Sequence, residues 1–97
     1  MSSSKDFKDF VLEQLGGAKR VFCKAMMGEF LLYFDGVLFG GIYDDRFLIK
    51  KTNSNKKYSL TEEIPYETAK PMYMVENLDD REYLQKLVEE TCQDLKK

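Results

Sequence analysis

The sequence predicts an α+β fold: one two-layer domain in which an antiparallel sheet, a meander of about four to six strands, is flanked by an N-terminal and a C-terminal helix. Three observations predict it. Residues 21–51 alternate apolar runs with two-residue turn signals, Asp35-Gly36 and Asp44-Asp45. Stretches of helical period lie at the two ends, over about residues 4–15 and 80–95, with the sheet expected between about 21 and 76. The whole is 97 residues, room for one core and no second domain.

Ser3 or Ser4 can cap the first helix, and Asp6 favours its positive end. Phe7, Phe10, Val11 and Leu15 then fall on one stripe that packs on the sheet, and Gly16-Gly17 stops the helix. A strand over 21–25 follows, with Val21, Cys23 and Ala25 on one side and Phe22, Lys24 and Met26 on the other. Met26-Met27-Gly28-Glu29 breaks this alternation, and Glu29 reads as a solvated carboxylate.

At Asp35-Gly36 a type I′ turn needs positive φ at both central positions, which Asp tolerates and Gly adopts freely. A two-residue loop sets Phe34 opposite Val37, Tyr33 opposite Leu38, Leu32 opposite Phe39, and Phe30 and Leu31 opposite Gly41 and Gly40. The Asp44-Asp45 turn returns the chain with Ile42 near Phe47 and Gly40 near Ile49. In that register one face holds Leu31, Tyr33, Leu38, Ile42, Phe47 and Ile49. The other holds Phe30, Leu32, Phe34, Val37, Phe39 and Leu48 beside Arg46 and Lys50. Both are too apolar to meet water, so either helices cover both or one face serves a partner or a second copy.

Residues 52–57 (TNSNKK) read as a polar surface loop, 59–63 as a short helical turn before Pro65, and 66–77 as one or two strands in which Pro71 marks a turn or a start. In the last helix Asp79 caps, Glu82 completes a capping box, and Leu84, Leu87, Val88, Thr91 and Leu95 form the apolar stripe, with Cys92 at its border. Lys96 and Lys97 suit its negative end.

Fifteen basic against seventeen acidic residues leave a net charge of -2, which argues against direct DNA binding. The local exception is Lys50, Lys51, Lys56 and Lys57 with Tyr58, a candidate nucleic-acid contact. Histidine is absent, which removes Ser-His and Cys-His pairs and imidazole metal ligands. Glu62, Glu63 and Glu67 read as surface charge without a base or ligand set. No catalytic, cofactor-binding or metal-ligating group assembles, so an enzyme is not expected. Gly40-Gly41 lies inside an apolar run rather than before a helix, which suits a bulge or close packing and not a phosphate loop. With no export signal and no run long enough to span a bilayer, the chain is expected to be cytoplasmic, with Cys23 and Cys92 as reduced structural thiols.

The run Cys23-Lys24-Ala25-Met26-Met27-Gly28-Glu29-Phe30-Leu31-Leu32-Tyr33, then Asp35-Gly36, Phe39-Gly40-Gly41-Ile42, Asp44-Asp45 and Phe47-Leu48-Ile49-Lys50, resembles the N-terminal domain of the TfoX/Sxy family. Lys70-Pro71-Met72-Tyr73-Met74 resembles that domain's later strand, so the likeness covers nearly the whole chain. It implies a secretion-chaperone-like architecture. From bacterial members that regulate natural competence genes together with a cyclic-AMP receptor protein, it implies a non-enzymatic regulator of transcription acting by protein interaction. A protein partner or a homodimer goes with that role. Members of that type carry a second, helical domain resembling nucleic-acid-binding modules, and this chain, ending at Lys97, is expected as a single-domain member.

Overall fold

The computed structural model describes residues 5–16 and 21–96. Helix α1 (Lys5–Gln14) precedes strands β1 (Val21–Met26), β2 (Glu29–Phe34), β3 (Val37–Tyr43) and β4 (Arg46–Ile49). A 3-10 turn (Lys56–Tyr58), strands β5 (Thr61–Glu63) and β6 (Met72–Met74) and helix α2 (Arg81–Leu95) complete the order. The six strands form one antiparallel sheet ordered β1-β2-β3-β4-β6-β5.

Local turn chemistry fixes the meander. Each of its three connections is a two-residue loop with left-handed backbone: Met27 and Gly28 at φ 53 and 85, Asp35 and Gly36 at 50 and 81, Asp44 and Asp45 at 53 and 57. Such turns twist with the strands they join. The Met26-to-Glu29 break is therefore a hairpin. Glu29 is not simply solvated, because its Oε2 accepts the Asp44 amide at 2.7 Å and ties the outer turns together.

The β2–β3 register departs from the expected one. Phe34 faces Val37 and Tyr33 faces Leu38 as expected, but Leu32 faces Gly40, Leu31 faces Gly41 and Phe30 faces Ile42. Phe39 is the extra residue of a bulge. Beyond it the β3–β4 pairs Ile42–Phe47 and Gly40–Ile49 stand as expected. The bulge shifts the side-chain phase by one, so the two expected faces exchange halves. Phe30, Leu32, Phe34, Val37 and Phe39 join Ile42, Phe47 and Ile49 on one side. Leu31, Tyr33 and Leu38 share the other with Tyr43, Arg46 and Leu48.

Both helices pack on the first of these faces. Val11 and Leu15 of the α1 region and Leu84, Leu87, Val88 and Cys92 of α2 form a single buried cluster with Leu32, Phe39, Phe47, Ile49, Tyr73 and Val75. Phe39 and Phe47 meet edge to face at 6.4 Å, which seats the bulge against β4. The buried residues of α1 are Val11 and Gln14, with Leu15 just beyond its end. Phe10 is 39% exposed, and Gln14 takes the inner position by donating to the Leu78 carbonyl at 2.6 Å. The Ser3, Ser4, Gly17 and Lys97 expectations lie outside the described residues.

Two further expectations are corrected. Residues 61–63 are an edge strand rather than a helical turn, because they pair with β6; the helical turn sits earlier, at Lys56–Tyr58. Helix α2 is capped by Asp80, whose side chain accepts the Tyr83 amide at 3.1 Å, so Asp79 and Glu82 form no capping box. Asp80 holds the extended backbone a cap needs, at φ -100 and ψ 96.

Candidate functional site

The second face of the sheet carries no helix among the described residues. Its floor is apolar: Leu31 of β2, Leu38 and the Tyr43 ring of β3, and Met26 at the end of β1. One wall is the segment 65–72, which brings Pro65, Tyr66, Ala69 and Pro71 across the sheet before β6 begins at Met72. Between floor and wall lies an apolar groove of about 810 Å³.

Two contacts hold the wall. Arg46 donates through Nε to the Tyr43 carbonyl at 3.2 Å, through Nη1 to Glu63 at 3.0 Å, and through Nη2 to the carbonyls of Ile64 and Pro65 at 3.4 and 3.5 Å. The Tyr66 ring lies 6.2 Å from that of Tyr43. Burial, with Tyr66 alongside, pushes the Tyr43 hydroxyl above the usual phenol range. Gly41 makes room for Tyr43: a Cβ there would stand 2.9 Å from a Tyr43 ring carbon and 2.5 Å from the Phe30 carbonyl oxygen.

The charged side chains that line the groove are of one sign, although the Glu29 carboxylate is near enough to help raise the Tyr43 hydroxyl. Every charged residue lining it is a lysine: Lys50, Lys51 and Lys70. Lys51 is engaged, with its ammonium 2.8 Å from Glu62 and 5.5 Å from the centre of the Tyr73 ring. Among the described residues Lys50 and Lys70 form no ion pair. The apolar surface continues past Met26 to the free edge of the sheet, where Phe22 is 64% and Met27 97% exposed.

The basic segment expected to contact nucleic acid is divided. Lys50 and Lys51 line the groove, whereas Lys57 and Tyr58 turn to α2. Lys57 pairs with Glu90 at 3.1 Å, and the Tyr58 hydroxyl donates to the same carboxylate at 2.5 Å. Tyr58 also packs edge to face on Tyr83 at 5.5 Å, which occupies its ring. Burial and the Glu90 bond push the Tyr58 hydroxyl up to about 12. The loop beneath is locked by buried Asn55, which donates to the Lys50 carbonyl and the Thr91 hydroxyl at 2.8 and 3.0 Å and accepts the Thr52 amide at 2.9 Å. Lys56 is exposed.

The other singled-out residues fall into two groups. Met27, Gly28, Gly36, Asp44 and Asp45 make the turns, and Phe39 and Gly40 the bulge. Lys24, Tyr33 and Met26 stand on the open face, and Lys50, Lys70, Pro71 and Met72 line its groove. Sequence reasoning missed Tyr43, Arg46, Pro65 and Tyr66, because residues 64–71 have no periodicity and reach the sheet only when β6 pairs with β4. Glu62 and Glu63, expected as free surface charge, are ion-paired. Cys92 is buried and burial pushes its thiol up to about 11; burial likewise raises that of half-buried Cys23. Neither thiol is poised as a thiolate at neutral pH. Among the described residues no group of His, Cys, Asp and Glu could hold a metal ion, and no helix is long and apolar enough to cross a membrane.

Fold and face together define a class: a small two-layer α+β domain with both helices on one side of an antiparallel sheet and a lysine-edged apolar groove on the other. The chain is 31% identical over 80 residues to an uncharacterized 12.7 kDa protein in the trpE 5′ region of Spirochaeta aurantia, a match covering 80% of this chain and 70% of that one. The chain belongs to the same family as the spirochaete protein. No family model matches the sequence.

Proposed function

We propose that the chain is a non-enzymatic regulatory protein that works by binding another protein through the open face of its sheet. The observation that carries this reading is the placement of both helices on one face, which leaves a groove of about 810 Å³ and an apolar edge for a partner to cover. The resemblance of residues 23–50 and 70–74 to the N-terminal domain of TfoX/Sxy regulators supports it further and suggests transcription of competence genes as the regulated process, in the bacterial cytoplasm.

Photo-crosslinking in cells tests it. A benzophenone side chain replacing Phe22 or Tyr66 lies on the open face, and one replacing Lys86 lies on the outer side of α2. Adducts with another protein are expected from Phe22 and Tyr66 and not from Lys86. Equal adducts from all three positions, or none from any, would overturn the reading.

A further inference from the structure

We infer that the groove on the open face takes an acidic amphipathic peptide segment of a partner protein, its apolar side chains on Leu31, Leu38 and Met72 and its carboxylates on Lys50 and Lys70. This rests on the reading of that face as a partner surface and names the chemistry of what it binds.

Charge complementarity carries the inference. The chain is net acidic, at -2, yet the charged residues lining this groove are all lysines. Lys50 and Lys70 have no ion-pair partner among the described residues, so a ligand carboxylate meets them without displacing an internal one. Lys24 adds a further positive charge on the same face of β1. An apolar floor with unpaired cations at its border matches a segment with apolar residues on one side and carboxylates beside them.

Shape chooses a peptide over a small carboxylate. The exposed apolar surface does not stop at the groove; it runs on through Met26 to Met27 and Phe22 at the sheet edge. A small molecule within the groove leaves that edge uncovered, whereas an extended or helical segment covers both. Met26 and Met72 supply unbranched side chains that repack around different apolar partners. A nucleic acid fits less well. The two rings that line the groove, Tyr43 and Tyr66, are engaged with each other at 6.2 Å, the free cations are few, and the Tyr58 ring is committed to α2.

The test is selection from a random peptide library displayed on phage against the full chain, repeated against a Lys50→Glu, Lys70→Glu double variant. The wild-type chain is expected to enrich segments combining Asp or Glu with Leu, Phe or Met. The charge-reversed chain should lose them, with at least about a tenfold weaker Kd for a synthetic copy of the best segment and a marked salt dependence in the wild type. Enrichment of neutral or basic segments, no enrichment, or binding indifferent to the double variant would overturn the inference. So would tight binding of a single-stranded oligonucleotide or of laurate in the groove, or self-association of the pure chain that the double variant abolishes. If selection fails while crosslinks from Phe22 and Tyr66 persist, the acidic-peptide assignment falls and the interaction reading stands.

Discussion

Replacing Gly40 with alanine perturbs the point at which the two faces of the sheet are decided. A Cβ there would overlap the Leu48 carbonyl oxygen and stand 2.9 Å from the Ile49 Cα and 3.1 Å from the Leu48 carbonyl carbon. All three atoms are backbone, so no rotamer change relieves the clash. Strand β4 must retreat, weakening the bond from the Lys50 amide to the Phe39 carbonyl, now 2.8 Å, and the neighbouring Gly40–Ile49 pairing. Overpacking a close-packed site costs about 1–3 kcal/mol. Each weakened backbone bond adds about 1 kcal/mol. The expected loss is therefore about 3–5 kcal/mol, a large share of the roughly 5–15 kcal/mol that holds a domain of this size. Gly36→Ala is the control. Its φ is +81 with nothing within 4 Å of the added Cβ, so only left-handed strain of about 1–2 kcal/mol applies. Urea unfolding followed by far-ultraviolet circular dichroism measures both. A Gly40→Ala loss below about 1 kcal/mol, or equal losses in the two variants, would refute the close-approach reasoning.

Asn55→Ala leaves the Lys50 carbonyl, the Thr91 hydroxyl and the Thr52 amide short of a partner around a fully buried site, and should cost about 2–4 kcal/mol, read as a lowered Tm in thermal melts. Asp80→Ala removes the α2 cap and should cost about 1 kcal/mol, while Asp79→Ala should change the Tm little; the reverse order would restore Asp79 as the cap. In an alkaline titration followed by tyrosinate absorbance, one phenol, that of Tyr58, should ionise near about 12 rather than 10.0, and Glu90→Gln should bring it down. The Tyr58–Glu90 contact also sets a pH window. The Tyr58 pKa is raised, so its contribution to stability is whole below its unfolded value and lost as the pH climbs towards about 12. The Glu90 pKa is lowered, chiefly by the Tyr58 bond, so its contribution is present above its unfolded value and lost as the pH falls through the lowered one. The stability difference between wild type and Glu90→Gln should thus be largest near neutrality and shrink at both extremes.

What was legible in the sequence was what adjacent residues decide. The Asp35-Gly36 and Asp44-Asp45 turns are chemical necessities of two-residue hairpins, and the apolar stripe of α2 follows from spacing alone. The Gly40-Gly41 pair advertised a bulge or a close approach, yet the extra residue is chosen by Phe39 packing on Phe47, a contact between strands that no local rule contains. That single-residue shift is why the expected faces were mixed. Asp79 and Asp80 are chemically equivalent cap candidates, and the backbone at the helix entry selects the second. The groove was half visible. Lys50 and Lys70 were singled out, but separately, because they meet only once β6 has docked beside β4 and Arg46 has strapped the intervening segment down.

The most direct test of the account is a map of amide chemical shifts by nuclear magnetic resonance, with the isotope-labelled full chain titrated with the best peptide recovered by selection. Shifts are expected to concentrate at Met26, Leu31, Leu38, Lys50, Lys70 and Met72, with α1 and the outer side of α2 silent. Changes centred on the helices, or spread evenly over the sheet and both helices, would contradict the assignment of the open face as the binding surface.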